Sequence, residues 1–117
     1  MAGKGSPLAE SDPYRLLTVE TSRDADRYVI VAAGDLEMST AARLDAELRA
    51  AEATDTKRII IDLSGVTFMD ATGLRLLLQA HARSRADSNR LRLIRGPRRV
   101  QRVFELTNTD RMLPFLN

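Results

Sequence analysis

The sequence predicts a small α/β domain whose sheet starts with a hairpin, and three observations predict it. Two β-rich runs, Tyr14 to Glu20 and Tyr28 to Ala33, are separated only by the charged turn Ser22-Arg23-Asp24-Ala25-Asp26. Three consecutive isoleucines, Ile59 to Ile61, head a strand that runs from Arg58 to Leu63. They suggest burial on both faces and hence a central position in the sheet. Three further stretches carry apolar residues at the three- and four-residue spacing of amphipathic helices. At 117 residues, 44% of them hydrophobic and 29% charged, the chain is long enough for one core.

In chain order, residues 1–13 lack periodicity and read as a disordered tail, leaving 14–117 as the single domain. Gly3-Lys4-Gly5-Ser6 has neither the preceding strand nor the glycine spacing of a phosphate loop. After the hairpin, Gly34-Asp35-Leu36-Glu37 reads as a loop. A helix follows from Ser39 or Thr40, either of which can cap it, to about Ala53, with Ala41, Leu44, Leu48 and Ala51 on its apolar stripe. The isoleucine strand ends in a short turn around Ser64 and Gly65, and a second apolar stretch runs from Val66 to Met69. The next helix extends from Thr72 to about Ala86, burying Leu74, Leu77, Leu78 and His81, with Leu76 and Ala80 widening the stripe. Leu91 to Arg95 alternates apolar and basic residues as a further strand. Gly96-Pro97 opens a third helix, with proline in its first turn and Val100, Val103 and Phe104 facing inward. The apolar end, Met112 to Leu116, docks on the core.

Many chemistries are excluded. With no cysteine there is no disulfide, thiolate nucleophile or zinc–cysteine site. One histidine on an apolar stripe reads as structural, and no acidic cluster has ligand spacing, so no metal or other cofactor is expected. Ser64-Gly65 lacks the flanks of a nucleophile elbow. Asp62 and Asp70 are the nearest thing to an enzyme's carboxylates. A phosphoacceptor receiver domain would also need an acidic pair after its first strand and a lysine after a late one, whereas Lys57 precedes its strand. The chain is therefore read as a non-enzyme. No apolar run approaches the roughly 18 residues of a membrane span, and no hydrophobic leader is seen, which points to the cytoplasm. Residues 83–111 hold nine arginines against Asp87, Glu105 and Asp110, a balance of +6 that leaves −4 for residues 1–82. Without interleaved aromatics this basic third reads as a solvated helical face that does not bind DNA sequence-specifically.

One stretch stands out. Asp70-Ala71-Thr72-Gly73 sets a hydroxyl beside a carboxylate at the start of a leucine-rich helix. Free N–H groups and the helix dipole favour an anion there, which suits a site where phosphate is added or removed. Thr72 also has the right chemistry to be a simple helix cap.

Three segments resemble the STAS domain family, the anti-sigma factor antagonists. They are Asp62-Leu63-Ser64-Gly65-Val66-Thr67-Phe68-Met69-Asp70-Ala71-Thr72-Gly73-Leu74, the loop Gly34-Asp35-Leu36-Glu37 with Ser39-Thr40-Ala41, and the closing run Val100 to Asn108. The resemblance spans roughly residues 14–116. It implies a mixed four- to five-stranded sheet with helices mainly on one face. It also implies binding to a serine/threonine-kinase anti-sigma factor, ended by ATP-dependent phosphorylation of Thr72 and restored by a phosphatase, thereby regulating sigma-factor-dependent transcription. On this pattern Asp35, Leu36, Met38, Met69, Asp70, Ala71 and Gly73 would form the partner-binding region. Many relatives carry serine where this chain has Ala71, so Thr72 is the one hydroxyl of the motif. The alternative the resemblance leaves open is an unmodified adaptor subunit of a stressosome or a lipid-transport complex. It also leaves open a homodimer.

Overall fold

The computed structural model describes residues 16–117, so Tyr14 and the tail read into residues 1–13 lie outside the described residues. Four strands and three helices follow one another. They are β1 (Leu17–Arg23), β2 (Arg27–Leu36), α1 (Ala41–Glu52), β3 (Arg58–Met69), α2 (Ala71–Arg85), β4 (Leu91–Ile94) and α3 (Arg98–Leu106). The sheet order is β1-β2-β3-β4, with β1 antiparallel to β2 and the other pairs parallel. The hairpin is tied by Asp24, whose carboxylate accepts from the N–H groups of Asp26 and Arg27 at 2.8 and 2.9 Å. These bonds hold the Asp24 carboxyl below its usual range. Ser22 and Arg23 belong to β1, so the turn is shorter than the sequence suggests. The parallel pairs need crossovers, which α1 and α2 supply.

The core lies on one face of the sheet. Tyr28, Ile30 and Ala32 of β2, Ile59, Ile61 and Leu63 of β3, and Leu91 and Leu93 of β4 alternate onto it and meet Leu44, Leu48, Leu77, Val100 and Phe104 from the helices. The opposite face carries Val29, Val31, Ile60 and Ile94, none fully buried. The isoleucine run does mark a central strand, but burial on both faces is not found: Ile60 is only half-buried.

Two boundaries differ from expectation for a shared reason. The expected loop at Gly34-Asp35-Leu36 is the end of β2, and the expected turn at Ser64-Gly65 lies inside β3. In both places the register between β2 and β3 slips. Val31 faces Asp62 and Ala33 faces Gly65, then Gly34 faces Val66 and Asp35 faces Phe68. Each slip gives β3 one extra residue, which is a β-bulge. Asp62 absorbs the first by accepting from the Ser64 N–H (2.9 Å) and hydroxyl (2.6 Å). Gly34 sits at φ 110°, where a side chain would be strained and its Cβ would strike the Leu16 carbonyl.

The stripe on α1 is the expected one, Ala41, Leu44, Leu48 and Ala51. That of α2 is rotated: Gly73, Leu76, Leu77, Ala80 and Ser84 are buried, while Leu74, Leu78 and His81 are half-buried. Small residues let the helix sit close to the sheet and push the leucines to its flanks. Pro97 is the residue before α3, not part of its first turn, and Gln101 reaches back to accept from the Gly96 N–H at 2.8 Å. Beyond α3, Leu113 is buried and Phe115 packs edge-on against Phe104 at 5.0 Å. Met112 and Leu116 stay exposed, so the apolar terminus docks only in part.

Candidate functional site

The carboxyl ends of β2 and β3 bring the two quoted loops together, and Asp70 is the joint. It is the N-cap of α2: Oδ1 accepts from the N–H groups of Thr72 (2.9 Å) and Gly73 (3.1 Å). Its other oxygen, Oδ2, accepts from the Met38 N–H at 3.2 Å, 32 residues away in sequence. The Asp70 N–H in turn donates to the Leu36 carbonyl at 3.3 Å. One carboxylate therefore caps a helix and anchors the β2–α1 loop beside it.

Gly73 makes the close approach possible. A Cβ there would lie 2.8 Å from Met69 Cγ and 2.9 Å from both Leu36 Cγ and the Leu36 carbonyl oxygen. Leu36 is fully buried and Met69 nearly so. Of the residues singled out from the sequence, Leu36, Met69 and Gly73 thus form the floor and expose no contact surface. Met38 is 76% exposed, Ala71 is exposed, and Asp35, Asp70 and Thr72 are partly so. Phe68, 46% exposed on the other side of the site, was missed. Its signal was available: an aromatic next to the inward-facing Met69 in a strand points to the opposite face.

The expected caps at Ser39 and Thr40 are not formed. Thr40 occupies the N-cap position of α1 without a side-chain cap bond. Its hydroxyl donates to the Asp35 carbonyl (2.6 Å) and accepts from the Glu37 N–H (3.0 Å), which shapes the loop under Met38. The hydroxyls near the site differ in one respect. Ser39 donates to the Glu37 carboxylate at 2.9 Å, Ser64 to Asp62 at 2.6 Å, and Thr67 to Asp35 at 2.9 Å. The Thr72 hydroxyl has no hydrogen-bond partner among the described residues. Its capping duty has been taken by Asp70.

His81, the one histidine, lies mid-helix on α2 with Nδ1 unpartnered among the described residues. Burial, then the Arg85 and Arg92 guanidiniums, hold it below its ordinary value. Among the described residues no three His, Cys, Asp or Glu groups are placed to hold a metal, and no helix is long and apolar enough to cross a membrane. A cavity of about 240 Å³ opens at the far end of the sheet, between Leu48, Ile59 and Ala80.

Comparison with known proteins identifies the family. The family profile described as "Mlab, STAS domain" matches residues 19–114. The anti-sigma-B factor antagonist of Listeria monocytogenes is 30% identical over 95 residues, which is 81% of this chain and 83% of that protein. An anti-sigma factor antagonist from Mycobacterium paratuberculosis has a similar crystal structure, with TM-score 0.74 and 26% identity over 86% of this chain and 85% of that one. The phosphorylated form of the Bacillus cell fate determinant SpoIIAA shares the fold, with TM-score 0.65 and 19% identity over 86% and 92% of the two chains. The chain belongs to the STAS domain family.

Proposed function

We propose that this protein is an anti-sigma factor antagonist that works by binding, without turnover of its own, and is switched by phosphorylation of Thr72. Its partner is an anti-sigma factor with serine/threonine kinase activity. The contact surface is the exposed ring of Met38, Phe68, Ala71 and Thr72, held in place by Asp35 and Asp70. In the switching step the Thr72 hydroxyl oxygen attacks the γ-phosphorus of ATP, ADP leaves, and the hydroxyl proton passes to a base on the kinase. A phosphatase reverses the modification by hydrolysis.

The observation that carries this reading is the contrast among the four hydroxyls. Phosphorylating Ser39, Ser64 or Thr67 would break a bond to a carboxylate and set a dianion against it. Thr72 has no such bond to lose and no cap to maintain. A phosphate adds about −1.5 to −2 charges there. Burying that charge unpaired against a surface shaped for a hydroxyl costs at least ~3–4 kcal/mol, more than a hundredfold in affinity.

The fold does not depend on the hydroxyl, so the switch acts at the interface. The test is incubation with the cognate kinase and ATP, followed by intact mass and peptide mapping. A single phosphate on Thr72 is expected. Phosphate on Ser39, Ser64 or Thr67 would reject the assignment, and no phosphate at all would favour the unmodified adaptor.

A further inference from the structure

Two of the free N–H groups of the helix N-terminus, which the sequence offers as the home for a phosphate on Thr72, are already occupied. The N–H groups of Thr72 and Gly73 are bonded to Asp70 Oδ1, and the Leu74 N–H donates to the Asp70 carbonyl at 3.1 Å. A phosphate on Thr72 cannot use these donors without displacing the cap, and the Asp70 carboxylate repels it from that side. The available positive charge lies in the other direction. Arg75, three residues on, shares the Thr72 side of α2, where such residues have Cβ atoms about 5–6 Å apart. Arg75 is exposed and forms no ion pair among the described residues.

Thr72 and Arg75 line one groove between α1 and α2, with Met38, Asp45, Arg49 and Gln79 as the opposite wall and ends. The groove's acidic group is not free to oppose an anion. Asp45 is engaged by Arg49 at 3.6 Å and lies 4.0 Å from Arg83.

We infer that Arg75 is the internal counter-ion for a phosphate on Thr72, holding it along α2 over this groove. The inference rests on reading Thr72 as the phosphoacceptor and adds what the phosphate does after it arrives. The pair forms within one helix, so the fold stays intact. The modified surface gains a dianion and loses an exposed guanidinium together. Held in this way, the phosphate is also less available to a phosphatase.

Phosphothreonine encoded at position 72 during translation tests the pairing without any kinase. The ³¹P signal is titrated through the second ionisation, which lies near pH 6 for an unperturbed phosphate. The titration is run on the full-length chain, on Arg75→Gln and on Arg75→Lys. The midpoint is expected to lie lower in the wild type than in Arg75→Gln, to stay low in Arg75→Lys, and to lose most of that difference in 1 M salt. A broad-specificity serine/threonine phosphatase should release phosphate from Arg75→Gln about two- to fivefold faster than from the wild type, the range an exposed ion pair gives. Equal midpoints in wild type and Arg75→Gln would overturn the inference, as would loss of the folded circular dichroism spectrum on phosphorylation. Kinase labelling at a residue other than Thr72 would instead sink the reading on which it rests.

Discussion

The two ends of the sheet each have a charged side chain that joins distant segments, yet they are built for different purposes. At the amino end of β3 and β4, the Arg90 side chain is only 8% exposed. It donates to the carbonyls of Glu52, Thr54 and Thr56, each at 2.8 Å, and to Asp87 at 3.1 Å. Nearby, Arg83 clamps Glu52 through both carboxylate oxygens at 3.2 and 3.1 Å. These contacts turn mostly inward, and Arg83 Nη2 adds an ion pair to Glu52 at 3.1 Å. At the carboxyl end Asp70 is equally well bonded, but what it holds faces out: Met38 and the Thr72 hydroxyl, which has no partner among the described residues. A largely buried polar network fixes the fold, whereas a well-bonded polar anchor beneath exposed apolar groups presents a surface.

Removing Arg90 should break the comparison most sharply. Arg90→Met strands three carbonyls, that of Thr56 buried and the others partly so, and should lower stability by ~3 kcal/mol, seen as an early urea midpoint, while partner affinity of the folded protein is unchanged. Gly73→Ala should come next, at about 1–3 kcal/mol, because the Leu36 carbonyl in its path is backbone and cannot rotate away. Unlike Arg90→Met, it should also weaken partner binding, since it lifts α2 off the floor of the site. Asp70→Ala should cost roughly 1 kcal/mol for the lost cap and release the Met38 loop, read as faster amide exchange at Met38. Phe68→Ser together with Met38→Ser should leave stability within about 0.5 kcal/mol and still reduce partner binding.

The smallest effect is that of His81. Its charged form is disfavoured in the folded state, so the unfolded chain takes up a proton that the folded one refuses. Its contribution is fully present above pH 6.5 and is lost as pH falls through 6.5 towards the folded value. The pH dependence of the urea midpoint across that window should flatten in His81→Gln.

Much of this was legible in the sequence because it follows from periodicity. The α1 stripe, the central isoleucine strand and the Asp-Ala-Thr-Gly motif all depend on local order. What was not legible depends on contacts between strands. Ser64-Gly65 carries turn residues, and only the pairing with β2 makes them a bulge. The α2 stripe was misjudged because large apolar residues were favoured over Gly73 and Ser84, whose small size sets how closely the helix packs. Thr72 looked like a cap until Asp70 was seen in that role. Arg90 looked like part of a solvated basic face, since nothing local reveals three carbonyls converging from a segment more than thirty residues away.

The central claim is that the Asp70 end presents a surface tuned to a neutral hydroxyl at Thr72. Binding titrations of wild type, Thr72→Ala and the Thr72-phosphorylated protein against the kinase-type anti-sigma factor, without ATP, test it most directly. Thr72→Ala should keep its stability within about 0.5 kcal/mol, having no cap to lose, and bind like wild type. The phosphorylated protein should remain folded and bind at least about a hundredfold more weakly. Equal affinity for the phosphorylated and unphosphorylated forms would contradict the account.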